Sequence, residues 1–290
     1  MAKAGAAAFA IDVTGRAPLM SRIDDPGPAD PRLPEHERRR LIALVTNQRS
    51  ARIGRRVRLT PSQLADFDSL ALRRIRGEPL QYLEGSVQFG QIEVGVDPRV
   101  LIPRPETEYL LELVGSRPAP PLVVDLCTGS GALALALKQV FPTARVIGTD
   151  SSAGALHVAT ANAAANELVV EWYQGDLFDA LPQEVAGKIE LLVANPPYIA
   201  EGDWSRLPED VQREPRMALV AGPTGMEVAE RVLGEVRRWL SPSGEAWVEV
   251  GEGHARHLAD RFSAQALKDQ YGRDRFVRVD APAISLDSQI

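Results

Sequence analysis

From residue 121 onward, short apolar runs alternate with segments of helical periodicity, and this alternation restricts the possible folds more than any other feature. The first run, Leu-Val-Val-Asp-Leu, is predicted to be a strand buried on both faces of a parallel sheet. Strands are predicted at 122–126, 144–150, 169–176, 189–198, 244–251 and 276–280. Helices are predicted at 132–141, 153–166, 226–240 and 254–268. Such alternation predicts an α/β fold, a doubly wound sheet that binds ligands at the carboxyl ends of its strands.

The first hundred residues do not follow this pattern and divide into three segments. Residues 1–33 are rich in Ala, Gly, Pro and Asp without periodicity, which predicts a flexible extension. Residues 34–78 show helical spacing and a Thr-Pro cap signal, which predicts a small helical domain. Residues 79–103 alternate around turn glycines, which predicts a β-hairpin linker. Residues 104–290 then form the main domain.

The net charge of −6 is unevenly distributed along the chain. Between Arg32 and Arg76 there are 12 Arg and 4 acidic residues, a net charge of +8, so the remainder carries −14. An enzyme that acts on nucleic acid is expected to have a basic surface near its cleft, whereas the main domain here is acidic. This disfavours DNA or RNA as the substrate. The Arg-rich segment is interpreted either as the solvated face of a helical domain or as a docking surface for a partner.

The single cysteine, Cys127, excludes an intrachain disulfide and suits a reducing compartment. No apolar run approaches the roughly 18 residues that a membrane span requires. The N-terminus lacks the long apolar core and cleavage region of a signal peptide. A cytoplasmic protein without a membrane partner is therefore predicted. The sequence singles out no set of metal ligands, so no metal site is predicted.

The loop after the first strand of the main domain has the pattern of a ligand-binding turn. It runs Asp-Leu-Cys-Thr-Gly-Ser-Gly from Asp125 to Gly131. Its glycines, Gly129 and Gly131, allow the backbone to turn sharply and to approach a ligand closely. Asp125 would repel a phosphate but suits a cofactor that carries a cation, such as a sulfonium or an ammonium. Cys127 is interpreted as a small apolar loop residue, with a nucleophile as the alternative.

Two aspartates follow the next two predicted strands. Asp150 lies 19 residues past Gly131, where an acidic side chain is placed to accept hydrogen bonds from ribose hydroxyls. The alternative role is a helix cap, which a neighbouring serine could fill instead. Asp176 is predicted to accept a hydrogen bond from an adenine amino group, with Leu177 near the ring. The alternative for Asp176 is an ordinary turn aspartate.

The sequence Asn-Pro-Pro-Tyr ends the fourth predicted strand. Its two prolines remove two backbone donors, so the turn offers mainly acceptors, such as the Asn195 side-chain oxygen and the Pro196 carbonyl. A planar NH2 group held by these acceptors would present its π face to an electrophile. Tyr198 would pack against the planar group. Catalytic roles are therefore predicted for Asn195, Pro196 and Tyr198, and all four residues, Pro197 included, are predicted to bind the substrate.

These motifs resemble those of the HemK-type protein N5-glutamine methyltransferases, over about residues 73–280. The shared motifs lie at 76–82 (Arg-Gly-Glu-Pro-Leu-Gln-Tyr), 101–108 (Leu-Ile-Pro-Arg-Pro-Glu-Thr-Glu), 125–131, 195–199 and 214–219 (Glu-Pro-Arg-Met-Ala-Leu). Asn-Pro-Pro-Tyr also occurs in adenine-N6 methyltransferases of DNA and RNA, whose target is likewise a planar amino group. The element Ile-Pro-Arg-Pro-Glu-Thr-Glu is more specific to the glutamine methyltransferases.

The resemblance implies a Rossmann-like class I methyltransferase sheet with a small N-terminal helical domain that docks the substrate. It implies S-adenosylmethionine as the cofactor. The implied cofactor contacts are the loop residues Cys127, Thr128, Gly129, Ser130 and Gly131, together with Asp150, Leu177 and Asn195. The implied substrate is the glutamine of the Gly-Gly-Gln motif in peptide chain release factors, held by the Asn-Pro-Pro-Tyr turn.

Three alternative functions are compatible with the same residues. An adenine-N6 methyltransferase of nucleic acid would be expected to have a basic cleft and an insertion after Asn-Pro-Pro-Tyr for base flipping, and the chain has neither. A glutamine methyltransferase of a ribosomal protein would use the same chemistry on another protein. A non-catalytic binding module would keep the fold without turnover, and the intact set of Gly129, Gly131, Asp150 and Asn195 argues against it.

Overall fold

The computed structural model describes residues 9–12, 33–54 and 56–281. The chain divides into two compact units, the N-terminal unit Met1–Glu84 and the main unit Gly85–Ile290. Within the described residues, no helix is both long enough and apolar enough to cross a membrane.

The N-terminal unit combines helices with a small antiparallel sheet. Its elements are β1 (Phe9–Asp12), α1 (Glu35–Thr46), a 3-10 turn (Ser50–Arg52), β2 (Arg56–Leu59), α2 (Pro61–Ile75) and α3 (Leu80–Glu84). Strand β1 pairs with β2, with Phe9 opposite Leu59. Neither strand was predicted. Apart from β1 and Leu33, the predicted extension 1–33 lies outside the described residues.

Helix α2 begins where the sequence predicts. The Thr60 hydroxyl accepts a hydrogen bond from the Gln63 amide, and the Gln63 side chain accepts one from the Thr60 amide. This reciprocal capping box, with Pro61 in the first turn, satisfies backbone donors that a helix start leaves unpaired. The apolar face of α2 packs into the core of the unit, which contains Leu33, Leu41, Ile42, Ala43, Ile53, Leu59, Phe67, Ala71, Leu80 and Leu83.

Several arginines of the Arg-rich segment form ion pairs inside the N-terminal unit. The pairs are Arg39–Glu35, Arg40–Glu84, Arg73–Glu78 and Arg74–Glu37. The Arg74–Glu37 pair is the most buried of these, with both side chains less than a fifth exposed. These four ion pairs balance part of the positive charge of the segment within the unit. Both interpretations of the segment, a solvated face and a docking surface, stay predictions.

The main unit begins with a hairpin and continues with alternating strands and helices. Its elements are β3 (Ser86–Phe89), β4 (Ile92–Gly95), α4 (Pro105–Gly115), β5 (Leu122–Leu126), α5 (Ala132–Val140), β6 (Arg145–Asp150), α6 (Ala153–Ala165), β7 (Glu171–Gln174), β8 (Ile189–Ala194), β9 (Ile199–Ala200), α7 (Arg216–Leu219), β10 (Val220–Gly222), α8 (Glu227–Glu235), β11 (Leu240–Glu249), α9 (His254–Arg261), β12 (Gln265–Lys268) and β13 (Asp274–Asp280). The 3-10 turns are Leu177–Ala180, Gln183–Val185, Glu201–Arg206, Val211–Arg213 and Val236–Arg238.

Seven of these strands form the central sheet, in the order β12-β13-β11-β8-β5-β6-β7. Strands β5, β6, β7, β8 and β11 run parallel, whereas β13 is antiparallel to both β11 and β12. All five residues of β5 are buried, Asp125 and the four apolar residues alike, as expected for a strand covered on both faces. The α/β fold is confirmed. Because β6 and β8 flank β5 in the sheet, the chain reverses its winding direction at the end of β5, where a ligand site is expected.

The prediction of one helix over 254–268 is wrong in its second half. Helix α9 ends at Arg261, and β12 follows as an edge strand paired with β13. Strand β12 is half exposed and contains polar residues at both ends. It therefore lacks the apolar run that marks the interior strands, and its pairing depends on a partner that lies later in the chain.

The hairpin β3–β4 lies inside the segment 79–103 that was predicted to be a hairpin linker, but the start of that segment, Leu80–Glu84, forms helix α3. Its strands pair antiparallel, with Phe89 opposite Ile92. Asn162 on α6 fixes the end of the hairpin, since its Oδ1 accepts from the Gly95 amide at 2.8 Å and its Nδ2 donates to the Gly95 carbonyl at 3.0 Å. The same Nδ2 also donates to the Ser130 carbonyl, so one buried side chain ties the hairpin to the loop after β5.

Candidate active site

The loop after β5 has the strained backbone of a close-approach turn. Cys127, Gly129 and Gly131 all have positive φ angles, of 58°, 56° and 81°. A Cβ atom added to Gly129 would meet nothing within 4 Å, so this position faces open space. A Cβ on Gly131 would approach Ala159 and Trp172 to 3.0 Å. Gly129 therefore leaves room for a ligand, whereas Gly131 is required for packing.

Asp125 holds this loop against the start of α5. Its Oδ2 accepts hydrogen bonds from the Thr128 hydroxyl at 2.6 Å and from the Ala134 amide at 3.1 Å. The residue is 1% exposed, and burial raises the pKa of its carboxyl to about 7. The two bonds to Oδ2 give Asp125 a bracing role, which the sequence did not indicate.

Asp150 ends β6 and faces the same loop. Its Oδ2 accepts from the Gly129 amide at 2.9 Å, and its Oδ1 accepts from the Ser152 amide at 2.9 Å. The Ser152 hydroxyl accepts from the Ala155 amide and so provides the side-chain cap of α6. Asp150 is therefore not the capping residue. Desolvation raises the pKa of its carboxyl.

Two adjoining cavities lie at the carboxyl ends of β5, β6 and β8, and Leu101, Cys127, Gly129 and Asn195 line both of them. We call the combined space the cleft. The predicted site residues that line it are Asp125, Cys127, Thr128, Gly129, Ser130, Asp150, Asn195 and Pro197. Residues that the sequence analysis did not select also line it, among them Arg99, Val100, Thr107, Ser152 and Met217.

The other predicted site residues lie outside the lining of the cleft. Gly131 packs as described above, and Pro196 is buried in the turn. Asp176 is 58% exposed and forms an ion pair with Arg231 at 2.7 Å. Leu177 is buried in the hydrophobic core of the main unit. An adenine-binding role for Asp176 and Leu177 has no support from these contacts and stays a prediction.

The Asn-Pro-Pro-Tyr turn is supported from both ends. The Nδ2 of Asn195 donates to the Thr107 hydroxyl at 2.9 Å, while its buried Oδ1 has no hydrogen-bond partner in the described part of the chain. At the other end, the Tyr198 amide donates to the Leu219 carbonyl, and the Tyr198 hydroxyl accepts from Arg275 Nη2 at 2.8 Å. The Arg275 guanidinium carbon lies 4.7 Å from the centre of the tyrosine ring. Desolvation, together with the nearby Glu249 carboxylate, raises the pKa of Tyr198 to about 12.

Thr107 and Glu249 are the polar residues of this region that the sequence analysis missed. The Thr107 hydroxyl donates to Glu249 Oε2 at 2.7 Å, and both side chains are buried. Thr107 belongs to the Ile-Pro-Arg-Pro-Glu-Thr-Glu element, which was used only as a mark of resemblance. Glu249 could have been noticed as an acidic residue at the carboxyl end of a strongly apolar strand.

The segment that includes Leu101 is held at the cleft by a second buried acid. Glu214 accepts from the Ile102 amide at 2.9 Å and forms an ion pair with Arg104. Glu214 is buried, and desolvation raises the pKa of its carboxyl. Two of the motifs noted in the sequence, at 101–108 and 214–219, thus meet through this residue.

Curated relatives match most of the chain. A release factor glutamine methyltransferase from Mycolicibacterium smegmatis is 41% identical over 226 residues, which cover 75% of this chain and 80% of that relative. Enzymes of the same name from Mycobacterium tuberculosis and Deinococcus radiodurans are 42% and 39% identical, each over 73% of this chain. The family model "Methyltransferase small domain" matches residues 105–234.

Solved structures show the fold. The Thermus thermophilus 16S rRNA N2 G1207 methyltransferase, in complex with AdoMet and guanosine, has a TM-score of 0.51 and 21% identity, covering 68% of this chain and 50% of that one. A methyltransferase from Pyrococcus furiosus has a TM-score of 0.50 and 15% identity, covering 65% of this chain and 88% of that one. At these identities the likeness concerns the fold alone, and it agrees with the predicted class I methyltransferase sheet.

Proposed function

The chain belongs to the release factor glutamine methyltransferase family, and on that premise we propose that it methylates the side-chain amide nitrogen of a glutamine in a peptide chain release factor. It is an S-adenosylmethionine-dependent methyltransferase. The proposed target is the glutamine of the Gly-Gly-Gln motif. The helical segment 34–78 is proposed to dock the release factor.

One observation supports this function more than any other. The Oδ1 atom of Asn195 is a buried acceptor at the cleft without a partner in the described residues. Burying an acceptor unpaired costs about 1–3 kcal/mol, so such an atom calls for an explanation. A donor on the substrate would supply the missing hydrogen bond. A primary amide has such donors, and the amide nitrogen is the atom to be methylated.

The residues of the cleft fit the cofactor. Gly129 leaves open space beside the backbone, where a Cβ would otherwise intrude. Asp150 lies in the lining at the end of β6, where a ribose is expected. We propose that Gly129, Asp150, Cys127 and Asn195 hold the cofactor, which supplies an electrophilic methyl group when bound. Burial raises the pKa of the Cys127 thiol, so this residue stays protonated and lines the cleft without acting as a nucleophile.

The turn residues are proposed to orient the substrate amide. Asn195 Oδ1 and the Pro196 carbonyl accept the two N–H donors, which fixes the plane of the amide and directs the π face of its nitrogen at the methyl group. With S-adenosylmethionine bound, its sulfonium would supply the methyl group to the amide nitrogen held by Asn195 and Pro196, and the nitrogen would release one proton to solvent water. By accepting a hydrogen bond from the substrate N–H, Asn195 increases the electron density on the amide nitrogen. The nitrogen keeps this proton during the attack on the methyl group. Tyr198, whose pKa is about 12, stays protonated at neutral pH and therefore does not act as a base. It lies outside the lining of the cleft, so its packing on the amide is proposed from its place in the turn.

Incubation with labelled S-adenosylmethionine tests the proposal. The purified protein is mixed with a release factor and, in parallel, with the same factor carrying glutamate in place of the glutamine of Gly-Gly-Gln. Peptide mass mapping should find one added methyl group, on that glutamine, and none on the variant factor. Parallel samples contain DNA, RNA and ribosomal protein. Label that appears only in one of these would contradict the proposal and support the corresponding alternative.

A further inference from the structure

A short chain of buried hydrogen bonds connects Asn195 with a carboxylate. Asn195 Nδ2 donates to Thr107 Oγ1 at 2.9 Å, and the Thr107 hydroxyl donates to Glu249 Oε2 at 2.7 Å. Thr107 is 5% exposed and Glu249 is fully buried. A buried carboxylate is costly unless its contacts compensate for lost hydration, so Glu249 requires an explanation that packing alone does not provide.

The carboxylate determines the direction of every hydrogen bond in this chain. An ionised Glu249 can only accept, so the single hydroxyl proton of Thr107 must point toward it. The Thr107 oxygen then offers only a lone pair to Asn195, and a lone pair selects the NH2 side of the amide. The amide oxygen of Asn195 must therefore turn the other way. That oxygen is the Oδ1 atom without a partner in the described residues.

We propose that Thr107 and Glu249 are positioning residues that set the rotation of the Asn195 amide, so that Oδ1 is the atom presented to the substrate. The inference rests on the proposed function, because an acceptor is required only if the substrate donates. Neither residue touches the reacting nitrogen in this scheme. They act by excluding the rotated amide, which would offer the substrate a second donor where it needs an acceptor.

Arg275 completes the arrangement on the other side of Glu249. Its Nη2 lies 3.8 Å from Glu249 Oε1 and also donates to the Tyr198 hydroxyl. The carboxylate is thus coupled to both ends of the Asn-Pro-Pro-Tyr turn, to Asn195 through Thr107 and to Tyr198 through Arg275. The Oε1 atom of Glu249 makes no hydrogen bond of its own within the described ranges, so the charge of Arg275 provides its main compensation there.

The hydrogen-bond chain from Asn195 to Glu249 predicts that turnover depends on pH. Burial, with a smaller contribution from the Glu106 carboxylate, raises the pKa of Glu249 to about 7 against the opposing effects of Thr107, Arg275 and Arg104. Protonated Glu249 can donate to Thr107, which frees the hydroxyl proton of Thr107 to point at Asn195 and favours the rotated amide. Turnover should therefore fall as the pH drops below about 7. With that pKa, roughly one-tenth of Glu249 is ionised at pH 6, so turnover there should be about tenfold below its plateau.

Three variants test the proposal in the full-length protein. Thr107→Val keeps the shape but removes the hydroxyl, and it should lower kcat about tenfold, the effect of one lost hydrogen bond, with unchanged affinity for S-adenosylmethionine. Thr107→Ser restores the hydroxyl and should recover most of the turnover. Glu249→Gln does not titrate, so it should abolish the decline of kcat between pH 8 and pH 6, whatever its absolute turnover. Each variant is also checked for its melting temperature.

A second measurement needs no substrate. The side-chain amide resonances of Asn195, assigned by comparison with Asn195→Ala, should shift with a midpoint near pH 7 in the wild-type protein and remain constant in Glu249→Gln. Measuring both turnover and the Asn195 resonances distinguishes the proposed function from the proposed positioning role. If no release factor is methylated by the wild-type protein, the proposed function fails, and the resonances still decide the positioning role. Wild-type turnover in Thr107→Val, equal losses in the valine and serine variants, or resonances that do not titrate would each overturn the inference.

Discussion

Replacing Asn195 with alanine separates the contribution of this side chain to stability from its contribution to catalysis. In the folded protein Asn195 donates one side-chain hydrogen bond, to Thr107, and buries an acceptor without a partner among the described residues. The substitution removes a bond worth about 1 kcal/mol and relieves a burial cost of about 1–3 kcal/mol. The two effects together leave the free energy of unfolding of the variant unchanged or raise it. The melting temperature should therefore stay the same or rise slightly.

Turnover of Asn195→Ala is expected to behave in the opposite way. If Oδ1 accepts a hydrogen bond from the substrate amide in the transition state, its loss should lower kcat at least about a hundred-fold, equivalent to about 2.7 kcal/mol. The affinity for S-adenosylmethionine should change much less, because the loop after β5 and Asp150 remain in place. The measurements are kcat with a release factor, cofactor affinity by calorimetry, and thermal unfolding.

Asn162 provides a matched control, since it is also a buried asparagine of the main unit. Unlike Asn195, it uses its side chain fully, with bonds to the Gly95 amide, the Gly95 carbonyl and the Ser130 carbonyl. Asn162→Ala should cost about 3 kcal/mol of stability, which lowers the melting temperature by roughly 6–12 °C for a unit of this size. Near-normal turnover in Asn195→Ala, or a loss of stability as large as that of Asn162→Ala, would refute the acceptor argument.

Three further predictions concern the cofactor side of the cleft. Asp150→Ala should weaken cofactor affinity roughly ten- to a hundred-fold, with a smaller effect on turnover at saturating cofactor. If calorimetry finds unchanged affinity, Asp150 does not bind the cofactor and serves only to hold the Gly129 and Ser152 amides. Burial raises the pKa of Asp125 from 3.8 to about 7, so the folded state binds this proton more tightly than the unfolded state. Stability should therefore fall as the pH rises from about 4 to 7, and denaturant titrations should show a smaller fall in Asp125→Asn; an identical slope in both proteins would contradict this. The raised pKa of the Cys127 thiol predicts slow alkylation by iodoacetamide in the folded protein at pH 8, and modification as fast as in the unfolded chain would show that the pKa of the thiol is not raised.

The inner parallel strands β5, β6 and β8 could be predicted from sequence because they are buried on both faces. The four apolar residues of β5 and the alternation of strands and helices after it have no other simple interpretation. The edge strand β12 and the short strand β2 could not be predicted in the same way. Strand β12 is half exposed, and β2 is a short Arg-Val-Arg-Leu segment inside a region of helical character. Strand β2 owes its structure to a pairing partner that is distant in sequence, with Phe9 opposite Leu59. Strand β12 pairs with the neighbouring strand β13, and it was missed because its own residues carry no strand pattern.

The candidate site shows the same division between local and distant information. The positive φ angles and open space at Gly129 follow from the local glycine pattern, and Asn195 follows from its place at the end of β8. The contacts of Thr107 and Glu249 could not be foreseen, because α4 and β11 supply these residues from positions 142 apart in the chain. Asp176 followed the same rule as Asp150 in the sequence, yet its ion pair with Arg231 directs it to the surface.

A structure of the protein with S-adenosylhomocysteine and a glutamine-containing release factor peptide would test the central claim most directly. The decisive measurement is the distance from the glutamine amide nitrogen to Asn195 Oδ1. We predict a hydrogen bond of about 2.9 Å, a second bond to the Pro196 carbonyl, and Asn195 Nδ2 still directed at Thr107. A glutamine bound away from the turn, or an Asn195 amide whose oxygen faces Thr107, would contradict the account.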